Sequence, residues 1–170
     1  MKDFMTLAET RCSVRDFAPR AVEKEKLTKI LEAGRLAPTA KNLQPQRIYV
    51  LESEEALRKI RAITPCAFNA PVVLLVCASE SETWHRDGTF SSAMMDASIV
   101  CSHMMFEAED LGLGTTWVLR FDPDRVSEAF DLPADHLPAC LLPLGYAAEG
   151  YEPSPRHTDR KPLTDTVYYL

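Results

Sequence analysis

Val72-Val-Leu-Leu-Val-Cys-Ala78 is an apolar run without alternation, rich in β-branched residues. Such a run suits a strand covered on both faces. Before it, Arg47-Ile-Tyr-Val-Leu51 reads as another strand, and residues 54–63 as a helix that stops short of Pro65. Farther back, Leu27, Ile30, Leu31, Gly34 and Leu36-Ala37 keep helical spacing after the charged run Glu23-Lys24-Glu25-Lys26, and Pro38 closes that helix. Downstream, the longest helix is expected over 91–111, ending at Gly112. Met94, Ala97, Cys101, Met104, Ala108 and Leu111 form one apolar stripe on it, and Met95, Ile99 and Phe106 a second. A helix apolar on both sides must be buried, either centrally or at a dimer interface. Thr115-Thr-Trp-Val-Leu119 is read as a strand, 124–130 as a short helix and 139–144 as a final strand. Strands alternating with helices argue for an α/β or α+β layer fold.

The 170 residues suit a single domain, large enough to bury roughly 70% of its unfolded surface. Hydrophobic residues at 46% and charged residues at 26% are ordinary globular composition. A net charge of −6 argues against non-specific binding to nucleic acid or anionic membrane. An anionic ligand therefore needs a local basic cluster. Neither a secretory leader nor an apolar run of membrane-spanning length is read. The five cysteines include no CxxC pair, so the cytosol is the default compartment. Residues 150–170 carry Pro153, Pro155 and Pro162 and are expected to form an extended arm. Its apolar end, Val167-Tyr168-Tyr169-Leu170, needs a surface to pack on, a partner subunit being one.

Four segments carry candidate chemistry. If Arg11-Cys12-Ser13-Val14-Arg15-Asp16-Phe17 is extended, Arg11, Ser13 and Arg15 share one side. Two guanidinium forks flanking a hydroxyl can hold a phosphate dianion. Taken alone, the segment reads equally as a solvated strand edge. In Ala37-Pro-Thr-Ala-Lys-Asn-Leu-Gln-Pro45, the side chains of Thr39, Asn42 and Gln44 can face a heteroaromatic edge or merely satisfy their own turn. Gly112-Leu-Gly-Thr-Thr-Trp117 is first a helix cap and is followed by a strand, so no dinucleotide-binding loop is present, and no phosphate-binding GxxxxGK[ST] loop occurs. Arg156-His-Thr-Asp-Arg-Lys161 places four potential cations in six residues of an acidic protein, either a second phosphate clamp or a solvated tail. His85, His103, His136 and His157 lack metal-ligand spacing, and no metal site is expected.

The order and separation of RCSVRDF, APTAKNLQP, GLGTTWVLRFD and LPLGYAAEGYEPSPRHTDRKPL resemble the FMN-dependent nitroreductase family, from Arg11 to about Val167. The resemblance implies an α+β fold, an α/β/α sandwich around a mostly antiparallel sheet, assembled as an intertwined homodimer with FMN at the interface. Arg11, Cys12, Ser13 and Arg15 would hold the phosphate and ribityl chain, with Arg160 and Lys161 completing the clamp. Pro38, Thr39, Ala40, Asn42 and Gln44 would approach the flavin from the other subunit, and Leu119 and Arg120 would pass its edge. NADH or NADPH would pass hydride to flavin N5, and a nitroaromatic, quinone or similar acceptor would then take it in ping-pong fashion. The hard chemistry would belong to the flavin, with no catalytic side chain required. Alternatives on the same scaffold are dehalogenation, dehydrogenation, flavin breakdown, or a cofactor-free dimeric binding protein. Arg120 stands where the family often has a small residue, and 62–67 offers no Asn or Lys contact to the pyrimidine end. Residues 79–89, with Trp84, His85, Arg86 and Asp87, are the only sizeable candidate lid.

Overall fold

The computed structural model describes residues 3–170. Its helices are α1 (Phe4–Thr10), α2 (Lys24–Arg35), α3 (Glu54–Ile63), α4 (Ala93–Asp110) and α5 (Pro123–Ala129). Its strands are β1 (Gln46–Leu51), β2 (Val72–Ser79), β3 (His85–Arg86), β4 (Phe90–Ser91), β5 (Gly114–Thr115) and β6 (His136–Gly145). The main sheet runs β1-β2-β6-β5 with every pair antiparallel, and β3 and β4 form a separate hairpin. The fold is α+β.

All eight residues of β2 are buried, because helices cover both faces of the sheet. Val72, Leu74, Val76 and Ala78 point towards α2 and α4, where they meet Ile30, Val100, Cys101 and Met104. Val73, Leu75 and Cys77 face the other way, against Leu57 and Ile60 of α3, Val126 of α5, and Val14 and Phe17. The period of two in a strand thus feeds two separate cores. Burying both sides of one central strand is what makes the sandwich.

The strand expected over 115–119 is shorter than its sequence suggests. Gly114 and Thr115 pair with Gly145 and Leu144, and Val118 pairs with Leu141 in the same register. Between them the ladder is interrupted opposite Pro143, which has no N–H to give. Strand β6 is longer than expected, and its ladder with β2 shifts register between Val76 and Cys77, which pair with Cys140 and Pro138 and leave Ala139 as the bulge. The short helix α1 is an addition to the sequence reading. Asp3 caps it by accepting from Thr6 N–H at 3.1 Å, and it has no buried residue.

Helix α4 buries one side only. Ala97, Val100, Cys101, Met104 and Ala108 are in the core, while Met95 is 59% exposed and Ile99 38%. Met94 belongs to the exposed side rather than to the core stripe. Beyond Gly150 the chain is largely exposed and makes only two short 3₁₀ turns, Pro155–His157 and Leu163–Asp165. Among the described residues no helix is long and apolar enough to cross a membrane.

Candidate functional site

The cap of α1 is Arg11, whose N–H returns to Leu7 O. From there the chain runs extended beside β5: Val14 N–H donates to Thr115 O at 2.9 Å, and Ser13 bridges Thr115 in parallel. Val14 is buried, and its Cγ2 would lie 2.5 Å from a Cβ on Gly114, so only glycine allows the segment to lie this close. The opposite side of the segment faces a cavity of about 310 Å³. Arg11, Cys12, Ser13 and Arg15 line it from the body, and Ser154, Arg156, His157 and Arg160 from the arm.

Two hydrogen bonds seat the arm there. Tyr151 Oη donates to Ser13 O at 2.6 Å, and His157 Nε2 lies 2.8 Å from Glu9 O. A carbonyl can only accept, so the His157 proton sits on Nε2. The lining includes no carboxylate, and none of its four arginines makes an ion pair among the described residues. Among the described residues the Arg160 guanidinium donates to the carbonyls of Arg156 and Asp159, and that of Arg15 to Ser13 O. Four guanidinium groups lining one cavity whose wall presents no carboxylate can hold an anion. Cys12 is not an activated thiolate. Its burial and the nearby Glu109 carboxylate raise its pKa, outweighing Arg11 and Arg15.

The other expected residues lie elsewhere. Helix α2 stops before Pro38, and Thr39 leads into a 3₁₀ turn, Ala40–Asn42. Lys41, Asn42 and Gln44 take positive φ of 51°, 55° and 55°. Thr39 Oγ1 accepts from Gln44 N–H at 3.0 Å, and the Ala40 N–H donates to the buried carboxylate of Asp96 at 2.9 Å. Leu119 is 69% exposed and follows the Val118–Leu141 pair, and the Arg120 carbonyl is held by the Thr64 hydroxyl at 2.6 Å. Lys161 is exposed and does not line the cavity.

The structure therefore brings Arg11, Cys12, Ser13, Arg15 and Arg160 together. Pro38, Thr39, Ala40, Asn42 and Gln44 sit at the other end of α4. The loop meets α4 at Asp96, whereas Cys12 lies near Glu109. At 1.5 Å per residue those points are about 20 Å apart along the helix. Ser154, Arg156 and His157 also line the cavity. The cationic hexapeptide 156–161 signalled Arg156 and His157 but not Ser154, and only the fold of the arm onto Arg11 and Arg15 selects which residues face inward. Among the described residues no group of three His, Cys, Asp or Glu could hold a metal.

The profile described as "Nitroreductase family" matches residues 8–65 and 63–146. A crystal structure of a nitroreductase family protein from Clostridium difficile is 39% identical, superposes with a TM-score of 0.93, and covers 99% of this chain and 98% of that one. An FMN-dependent nitroreductase from another strain of that species is 26% identical, with a TM-score of 0.79 and 98% of each chain covered. A Thermus thermophilus protein named NADH dehydrogenase is 31% identical over 91% of this chain and 91% of its own. With the profile spanning most of the chain and the sandwich shared, this protein belongs to the nitroreductase family.

Proposed function

We propose that this chain is an FMN-dependent oxidoreductase that uses NADH or NADPH to reduce nitroaromatic, quinone or similar acceptors, and that it works as a homodimer. The observation that carries the reading is the cavity in which Arg11, Arg15, Arg156 and Arg160 converge without a carboxylate. This donor set suits the phosphate monoester of FMN, which offers two negative charges and several acceptor oxygens to guanidinium forks and the Ser13 and Ser154 hydroxyls. The FMN-dependent relative supports the choice of cofactor.

The chemistry a bound FMN supplies is hydride acceptance from a reduced nicotinamide and its delivery to an acceptor. The chain's own part is to bind and orient. Arg11, Ser13, Arg15 and Arg160 would anchor the phosphate, with Cys12 as a neutral neighbour. The 38–44 loop, carrying Pro38, Thr39, Ala40, Asn42 and Gln44, would present polar groups to the ring, and the Leu119–Arg120 backbone would pass its edge. Lys161, outside the cavity, would add only diffuse positive charge.

Homodimer assembly is supported by where these groups lie. The phosphate cradle and the loop stand near opposite ends of α4, and the outer face of α4 exposes Met94, Met95 and Ile99. Packing α4 antiparallel on its copy would cover that face and bring one copy's loop towards the other copy's cradle. The apolar arm end, with Tyr169 95% exposed, would gain a surface in the same assembly.

The test is a visible absorption spectrum of the purified protein, followed by anaerobic addition of NADH and NADPH. Flavin absorption that bleaches with either donor and returns when a nitroaromatic or quinone is added is the expected result. A protein that takes up no FMN, or holds FMN that neither donor reduces, overturns the reading.

A further inference from the structure

Asp96 is 2% exposed and lies in the first turns of α4. Its Oδ1 accepts the Ala40 N–H at 2.9 Å, and its Oδ2 accepts the Ser92 hydroxyl at 2.7 Å. With that proton committed to the carboxylate, Ser92 Oγ can only accept from its other neighbours. These are Thr83 Oγ1 at 2.9 Å and Trp84 N–H at 3.3 Å, and the Ser92 N–H returns to Trp84 O at 2.9 Å. Thr83 and Ser92 are themselves buried, so water does not compete for these bonds.

The two arms of this carboxylate reach two different segments. One holds the 38–44 loop, where three non-glycine residues sit at positive φ, a conformation that persists only when its surroundings impose it. The other holds the root of the β3–β4 hairpin through a single hydroxyl. Trp84 packs edge-on to Phe90 at 6.2 Å within that hairpin, and Lys41 of the loop reaches 5.9 Å from the Trp84 ring. Loop and hairpin root therefore approach each other at Lys41 and Trp84 as well as at Asp96.

We propose that Asp96 is a positioning residue that sets, through its two carboxylate oxygens, both the 38–44 loop and the Trp84 hairpin as the two walls of the cleft in which nicotinamide and acceptor bind. The inference rests on the flavin reading above for the identity of the cleft. The coupling itself rests on the hydrogen bonds alone.

Substitution chemistry separates the two arms. In Asp96→Asn the amide oxygen can still accept from Ala40, but the amide nitrogen then faces Ser92. Ser92 Oγ then accepts from that amide and turns its own freed proton to Thr83 Oγ1, so Asp96→Asn keeps every bond of the network and serves as the isosteric control. Ser92→Ala releases the hairpin and spares the loop, whereas Asp96→Ala releases both. The first measurement is amide hydrogen exchange in the flavin-free protein. Exchange at Trp84 should speed up at least tenfold in Ser92→Ala with Ala40 still protected, at both Trp84 and Ala40 in Asp96→Ala, and at neither in Asp96→Asn. The second is kinetics of the FMN-loaded protein. KM for the nicotinamide should rise about tenfold in Ser92→Ala, while the FMN dissociation constant, set by the distant arginine cradle, stays within about threefold. Unchanged exchange at Trp84 in Ser92→Ala, uniform acceleration throughout the chain, or an unchanged KM in Ser92→Ala would each overturn the proposal. If the wild-type protein takes up no FMN, the proposed function fails, and the exchange pattern still decides whether Asp96 couples the two segments.

Discussion

Tyr151 Oη donates a 2.6 Å hydrogen bond to the carbonyl oxygen of Ser13, fastening the root of the C-terminal arm to the segment that carries Arg11 and Arg15. The arm's arginines are close to the body's arginines because of this bond and of His157 on Glu9 O. Four like charges facing one cavity repel one another. These two hydrogen bonds, both to backbone carbonyls, hold the arrangement against that repulsion.

Tyr151→Phe should therefore weaken FMN binding without touching any phosphate-facing group. A part-buried hydrogen bond contributes about 1 kcal/mol, which corresponds to roughly a fivefold rise in the dissociation constant. Flavin fluorescence quenching during titration measures it. An affinity equal to that of the wild type would show that the arm is seated by other contacts.

Arg156→Gln and Arg160→Gln test the cavity as a phosphate cradle. Each removes a charge-assisted donor set of about 1.5–3 kcal/mol, or roughly 10- to 100-fold in FMN affinity. Riboflavin, which lacks the phosphate, should bind wild type and variants alike. Comparing FMN and riboflavin by isothermal calorimetry separates a phosphate effect from general damage, because equal losses for both ligands would contradict the cradle.

Gly114→Ala should be destabilising. Its Cβ would meet Val14 Cγ2 at 2.5 Å and Val14 Cβ at 2.8 Å, forcing the 11–17 segment away from β5. Overpacking of this kind costs about 1–3 kcal/mol, a drop of several degrees in Tm for a chain of this size. Adding Val14→Ala should recover part of the loss in thermal unfolding, since the collision is with a side chain. A Gly114→Ala protein with wild-type Tm and FMN affinity would mean that the two segments have room to part.

Glu23 supplies an acid-limb prediction. The Tyr146 hydroxyl donates to its carboxylate at 2.7 Å, Arg20 lies at 2.8 Å, and together with its backbone bonds these hold the Glu23 carboxyl at about 2. A carboxyl held below its ordinary 4.5 contributes stability that is complete above that value and is lost as pH falls towards 2. In Tyr146→Phe the largest of these influences disappears, so the Glu23 titration should move upward. Carboxyl-carbon NMR against pH measures the shift, and an unmoved titration would assign the effect to the backbone bond and Arg20.

Elements with a strong local signal were legible from the residues alone. The non-alternating run at 72–78 is the doubly covered strand β2, and the helix read over 54–63 has those bounds in the structure. Elements decided by a neighbour were not. The strand read over 115–119 is cut by Pro143, a residue on another strand. Helix α1 rests on one capping aspartate and carries no core stripe, so periodicity could not find it. The β3–β4 hairpin is two residues on each side, too short for any pattern.

The sequence by itself determined the family, the layered α+β architecture and the two cationic segments, because these depend on the order and spacing of residues along the chain. Only the tertiary structure decided that Arg11, Arg15, Arg156 and Arg160 share one cavity, that Lys161 is left outside it, and that Asp96 joins the loop to the hairpin. These depend on which side chains the folded backbone brings within hydrogen-bonding range across more than a hundred residues in the first case and about fifty in the last. Neither composition nor periodicity encodes such distances. They follow from two helix layers closing on one sheet, with an arm of few core residues left to fold back over the seam.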